Sequence, residues 1–503
     1  MERNLEKAGA LAHAVGGGCA WRKATMIMSA LLVSAAATGC DDTVQFEEPE
    51  PFVPPAYDEW VAYEPEGTVC SDGTQYRYFV KFRENSENVL VLFEGGGACW
   101  DYNTCTAAAG SLGARGVDCV LDDNDEFCIP YDYADRYFGL PAGVPDDLVN
   151  SIVRNHPHIS VTNGAVSIDT VLPLASSNAT ISPMHDWNLV FVPYCTADLY
   201  AGNRVAVYED PDGVGEPITF HHLGLQNTLK VAEELNEMFP NVPQFAMNGC
   251  SAGGAGVMAT YYFFRTRMEG IQRGYVFSDA GPFFPSQQAT SRSLPLHNAV
   301  REAWDISSVF DLLIAETDIL DEEPVDVSEL YRAISQAFPN DRFSVAHTQT
   351  DFNYSLYSYT SFYGLTARAR SAAERAVIYE YWRDDNDLLV DLLEELPNMA
   401  YYMPFWRRTN DSHCISLAGF QDADPSGDEL LGILAMINDP LKFYAGTEIE
   451  VDGQVLTYRD HVINVLNDDE ELVSVFELDG EGPYLECTPD YFDEDGCFEV
   501  IGQ

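Results

Sequence analysis

From about residue 60 onward, short apolar runs alternate with longer stretches in which apolar residues recur at helical spacing. The runs at 88–93, 188–193, 244–248, 274–278, 342–347 and 399–404 predict strands. The stretches at 222–238, 252–268, 327–337, 373–396 and 427–437 predict helices. Alternating strands and helices imply an α/β fold, with a central, mostly parallel sheet flanked by helices. No internal repeat is visible. Residues 101–185 lack a clear period and, together with Cys99, carry four cysteines. They predict a disulfide-containing insertion that caps the sheet, so residues 60–503 are expected to form a single domain.

The start of the chain follows another pattern. Trp21-Arg22-Lys23 precedes an apolar run of about fifteen residues, too short to span a bilayer and fitting a signal peptide over residues 1–40. Its end, Ala37-Thr38-Gly39-Cys40, resembles a bacterial lipobox, with Ala37 where Leu is usual. That implies a lipid anchor on Cys40, ordinary secretion being the alternative. Residues 1–21 read as a long n-region or a misassigned start, and residues 41–59 as an acidic, Pro-rich tether. Nothing later is apolar enough to cross a membrane, which predicts an extracytoplasmic protein, either a cell-envelope lipoprotein or a secreted one.

Composition narrows the function classes. A 46% hydrophobic and 12% aromatic chain has enough apolar surface for a sizeable core. Eighty acidic residues face 27 basic ones, a formal net charge of −53, and five of the basic residues are Lys. Such a surface repels phosphate backbones, which excludes nucleic-acid binding. It leaves a solvated acidic surface suited to salt, a Ca²⁺-loaded surface, or attraction of a cationic substrate. Ten of the twelve cysteines follow residue 41, in no zinc-binding spacing. In an exported protein they predict up to five disulfides, with Cys119 close to Cys128 and Cys487 close to Cys497. The pairing of Cys70, Cys195, Cys250 and Cys414 stays open.

Residues 249–253 read Gly-Cys-Ser-Ala-Gly, between a predicted strand and a predicted helix. A G-x-S-x-G in that context predicts a strained strand-to-helix turn with Ser251 as nucleophile. The apolar run Leu90-Val91-Leu92-Phe93 leads through Glu94 into Gly95-Gly96-Gly97. Such a loop brings amides against a tetrahedral intermediate, so Gly96, Gly97 and Ala252 are the expected oxyanion hole. Glu94 is expected to brace the loop. Chain order in α/β-hydrolases is Ser, then acid, then His. Asp351, after the strand at 342–347, is favoured as the acid, and Asp279, also at a strand end, is the rival. His413, in the loop after the last predicted strand, is favoured as the base over His297, His347 and His461.

Four separated segments carry a resemblance: EGGGACWDYNTC, WNLVFVPYCTADLYAGN, GCSAGGAG followed by SDAGPFF, and His413-Cys414. Over roughly residues 60–420 the chain resembles the pectin acetylesterase family, which includes the Notum carboxylesterases. The resemblance implies a single α/β-hydrolase catalytic domain with Ser251, Asp351 and His413 as triad, and Gly96, Gly97 and Ala252 as oxyanion hole. It further implies a Cys99–Cys105 disulfide and supporting roles for Asp198, His221, His222, Gly224 and Asn227. Two departures stand out. Gly97 and Ala98 replace a frequent aromatic, and the acidic region after about 420 lies outside the resemblance.

The implied activity is hydrolysis of an O-acyl ester, chiefly O-acetyl on a polysaccharide such as pectin. The alternatives are a Notum-like fatty-acyl carboxylesterase and a surface carbohydrate-binding protein without catalysis. No cofactor is required for this chemistry. Asp422, Asp424, Ser426 and Asp428 resemble half of a calcium loop, offering a structural Ca²⁺ site or an acidic helix-capping turn; Ile433 at the twelfth position disfavours an EF-hand. The net charge has a measurable consequence for an anionic polymer. Turnover of acetylated pectin should rise with ionic strength as repulsion is screened, and a fall with salt would contradict this reading.

Overall fold

The computed structural model describes residues 52–106, 172–317, 319–320, 325–365, 372–405, 413–416, 448–451 and 453–477. Thirteen strands form among these residues, and nine of them share one sheet. In chain order the strands of that sheet are β1 (Trp60–Tyr63), β2 (Tyr78–Lys81), β3 (Val89–Phe93), β4 (Asn188–Val192), β7 (Val242–Cys250), β8 (Ile271–Asp279), β9 (Arg342–Ala346), β10 (Met399–Met403) and β13 (Val475–Phe476). Their spatial order is β1-β2-β4-β3-β7-β8-β9-β10-β13. The β1–β2 and β2–β4 pairs are antiparallel, and every other pair is parallel. The six strands predicted from apolar runs are the six central parallel ones. Separate hairpins are made by β5 (Arg204–Tyr208) with β6 (Ile218–His222) and by β11 (Ile449–Val451) with β12 (Gln454–Leu456).

Both faces of the sheet are covered, which is why β3, β4 and β10 read as near-continuous apolar runs rather than alternating ones. Side chains of β3 divide by parity: Val89, Val91 and Phe93 enter one core, Leu90 and Leu92 the other. The larger core holds α2 (Gly224–Met238), α3 (Ala252–Arg267), α6 (Glu329–Ala337) and α8 (Ala372–Glu394). On the opposite face, Tyr458, Val462 and Val465 of α9 (Tyr458–Leu466) pack with Trp187 and Tyr402. That acidic C-terminal region, outside the family resemblance, therefore completes the second core. Helix α3 is buried at every position from Ala252 to Phe264. A helix apolar on all sides must sit at the centre of the molecule.

The remaining helices are α1 (Tyr102–Thr106), α4 (Leu294–Trp304), α5 (Ser307–Glu316) and α7 (Phe352–Tyr359). His222 ends β6 rather than opening a helix, and His297 lies within α4. Among the described residues no helix is long and apolar enough to cross a membrane. The leader, Cys40 and most of the tether lie outside these residues. So do most of the predicted cap with Cys119 and Cys128, the helix at 427–437, the Asp422–Asp428 loop, and Cys487 and Cys497.

Buried Asp341 ties α3 to the sheet. Its carboxylate accepts from Tyr261 Oη (2.7 Å), Arg265 Nε (2.9 Å) and the Gly274 amide (3.0 Å). Removing the carboxylate strands two buried donors, the Tyr261 hydroxyl and the Gly274 amide, and the half-buried Arg265 guanidinium. Asp341→Ala should therefore cost about 3–5 kcal/mol in chemical denaturation; a loss under about 1 kcal/mol would show the network to be dispensable.

Candidate active site

The strand β7 ends at Cys250, and Ser251 starts α3 with φ 57° and ψ −123°. A non-glycine residue with that φ is strained and persists only where its surroundings enforce it. The surroundings are explicit. The Ser251 amide donates to the Asp279 carbonyl (2.8 Å), and the Ser251 carbonyl accepts from the Ala255 amide (3.0 Å). A Cβ on Gly253 would sit 2.3 Å from the Phe93 carbonyl oxygen, and one on Gly249 would sit 2.3 Å from that of Gly253. Only glycine at both places lets strand, turn and helix close on one another.

The glycine loop follows β3 and faces the same place. Gly96 is buried, and Gly97 adopts a positive φ of 66°. Tyr194 Oη donates to the Gly97 carbonyl at 3.0 Å. Glu94 braces the loop as expected: its Oε2 accepts from the Tyr194 amide (3.0 Å), while its carbonyl accepts from Tyr200 Oη (2.8 Å). Gly97, Ser251 and Ala252 line one cavity. The amide of Ala252 opens α3, where free N–H groups and the helix dipole favour negative charge.

Asp351 lies past the end of β9 and is fully buried. Its Oδ1 accepts from the Tyr354 amide (2.8 Å), capping α7, and its Oδ2 meets His413 Nδ1 at 2.7 Å. The predicted acid and base are thus brought together from 62 residues apart. Asp279, the rival acid, makes no hydrogen bond to the imidazole. Its Oδ2 accepts from the Ser416 amide at 2.6 Å, and its Oδ1 has no partner. Burial pushes the Asp279 carboxyl up to about 6, against hydrogen bonds from Ser416 and Ile415 and the charge of His413.

His347 and His461 serve packing. His347 Nε2 meets Asn386 Oδ1 at 2.6 Å, and His461 Nε2 meets Ser344 Oγ at 2.8 Å. Burial lowers both to about 4, so they are neutral at neutral pH. His297 lines the cavity beside Ser251, and burial pulls it down to about 4 against the attraction of Asp326. His222 bridges Tyr208 Oη (2.9 Å) and the Thr196 carbonyl (3.1 Å). Asp198 accepts from Thr196 Oγ1, the Tyr200 amide and the Gly224 amide at 2.7–3.1 Å, a loop brace with no free oxygen. Asn227 clamps both backbone groups of Val69.

The cavity walls are mainly apolar, with Trp100, Leu199, Phe283, Phe284, Val300 and Trp304 among them. The sequence pattern missed the Val300 and Trp304 side of the wall because α4 was not recognised as a helix. The alternation Leu294, Leu296, His297, Val300, Trp304 was the available signal. Two groupings could in principle hold a metal, Cys99–Cys105–His222 and Cys250–His413–Cys414. In both, the sulfurs are joined as disulfides and are not thiolate ligands.

A family model described as pectinacetylesterase matches residues 164–309, the span that contains the serine turn, Asp198 and Asp279. In that segment the chain is similar to the pectinacetylesterase family. Among curated relatives, it is 31% identical over 105 residues to palmitoleoyl-protein carboxylesterase NOTUM of Schmidtea mediterranea, covering 21% of this chain and 19% of that protein. It is 22% identical over 250 residues to the Drosophila melanogaster NOTUM of the same description, covering 47% and 29%. The matches thus span less than a third of either relative. The solved structure of the Wnt deacylase Notum from Drosophila aligns at a TM-score of 0.45 and 14% identity, over 83% of this chain and 96% of that one.

Three disulfides occur among the described residues: Cys70–Cys195, Cys99–Cys105 and Cys250–Cys414. The third joins the residue before Ser251 to the residue after His413, with Cα atoms 5.9 Å apart. A ring nitrogen of His413 lies within 4.8 Å of both sulfurs. The bridge closes a separation of 164 residues, against 6 for Cys99–Cys105. On the chain-entropy model that is worth about 5 against about 2 kcal/mol. Cys250→Ala/Cys414→Ala should therefore lose clearly more unfolding free energy than Cys99→Ala/Cys105→Ala; equal losses would rule out loop closure as the source.

Proposed function

We propose that the protein is a serine ester hydrolase that cleaves O-acyl esters through an acyl-enzyme. The observation that carries this reading is the buried Asp351–His413 pair, held by a disulfide against the strained turn of Ser251. Ser251 Oγ attacks the acyl carbonyl while His413 Nε2 takes its proton. Asp351, bonded to Nδ1, fixes the tautomer and stabilises the imidazolium. Amides of Gly96, Gly97 and Ala252 hold the developing oxyanion. His413 then protonates the departing alkoxide, and water cleaves the acyl–Ser251 bond by the same steps.

The family name favours an O-acetyl group on a polysaccharide as the scissile ester. A second reading, a longer acyl chain, is supported by the apolar cavity wall beside Ser251, whose rings and branched side chains gain most by excluding water around a hydrocarbon. The three disulfides favour an oxidising compartment outside the cytoplasm, in line with a lipid anchor or secretion through the leader ending at Cys40.

A fluorophosphonate should label the wild-type protein at one site, and Ser251→Ala should abolish both labelling and turnover, lowering kcat by about 10⁴-fold or more. Labelling that survives in Ser251→Ala would refute the assignment. A panel of acetyl, butyryl and octanoyl p-nitrophenyl esters beside acetylated pectin and xylan separates the acyl classes: a preference rising with chain length supports the apolar wall as acyl site, whereas acetate preference with polymer turnover supports the polysaccharide reading.

A further inference from the structure

Building on the serine-hydrolase reading, we propose that Asp279 is a positioning residue of the triad, clamping the His413 segment onto the serine turn. It ends β8 and stands opposite Cys250 in the β7–β8 ladder. Its main-chain oxygen accepts from the Ser251 amide at 2.8 Å, and its side-chain Oδ2 accepts from the Ser416 amide at 2.6 Å. One residue therefore holds both the turn that aims the hydroxyl and the segment that carries the imidazole. The Cys250–Cys414 bridge attaches the same segment to the neighbouring strand end, so residues 413–416 are pinned at two points to adjacent strands.

The chemistry at this position exceeds what packing requires. Asp279 is fully buried with one oxygen unpaired, an arrangement that costs stability. An amide side chain would accept from Ser416 equally well without a charge. The groups around it show what the charge faces. The β7 side presents Cys250, whose sulfur is bridged, while α3 packs its Gly254 backbone against the Asp279 main chain, where a Cβ would lie 2.2 Å from the carbonyl oxygen. The β9 side presents the Ala346 carbonyl, which accepts from the Ala280 amide, and then His347, held neutral and bonded to Asn386. From the 413–416 segment comes His413, the titratable group whose charge acts on Asp279. A second buried anion beside the Asp351–His413 pair favours the imidazolium that forms when Ser251 surrenders its proton.

Two substitutions divide these contributions: Asp279→Ala removes acceptor and charge, while Asp279→Asn keeps an acceptor. With a p-nitrophenyl ester, Asp279→Ala should lower kcat by about 100-fold with KM within about threefold, and slow fluorophosphonate labelling of Ser251 in parallel. Asp279→Asn should recover part of kcat and move the acid limb of kcat/KM to lower pH, because the imidazolium has lost a stabilising anion. Folded variants with kcat within about twofold of wild type and an unmoved acid limb overturn the inference. If Asp279→Ala fails to fold, Asp279→Asn decides alone by the position of its acid limb. A wild-type protein that does not label at Ser251 sinks the hydrolase reading itself; one that labels normally beside indifferent Asp279 variants sinks only the clamp.

Discussion

The strained backbone of Ser251 is the constraint on which the rest of this structure depends. A serine held at φ 57° between a strand and a helix relaxes unless every neighbour resists. Here the neighbours are the two longest strands, a helix buried over its first thirteen residues, and glycines whose missing Cβ atoms make room for backbone. The sheet's parallel centre delivers β3, β7, β8 and β9 with their C-terminal ends at the same edge. The glycine loop, the serine turn, Asp279 and Asp351 each leave one of those ends. In open α/β sheets that edge is where ligands bind.

The second theme is how buried charge is tolerated. Asp341, Asp198 and Asp351 lie in the interior with two or three donors each, so their cost is largely offset by charge-assisted hydrogen bonds. Asp279 departs from that pattern with an unpaired oxygen. The histidines divide in the same way. His222, His347 and His461 are neutral linkers of secondary structure, while His413 alone among them meets a carboxylate through Nδ1. Environment, not residue type, separates the imidazole suited to proton transfer from those suited to packing.

Much of the α/β framework was legible because its signals are local. The six central strands are each at least five residues long with an apolar stretch inside, and the G-x-S-x-G turn requires small residues at fixed offsets. Weaker signals failed where structure depends on partners. Strands β1 and β2 are short, and they are organised only through pairing, β2 with β4 and the edge strand β1 with β2. Helices α4 and α7 gain their burial from the cavity they enclose, and α9 from a sheet face formed by residues far earlier in the chain. His347 and Asp279 could not be assigned from position alone, since both sit at strand ends beside the site.

The chain by itself determined its class, the serine turn, the glycine loop and a short set of acids and bases, because each is written in residues adjacent to one another. Tertiary structure decided which acid meets which base, which cysteines pair, and what walls the cavity. Those outcomes turn on distances between segments up to 164 residues apart, and local spacing does not encode a distance across a fold.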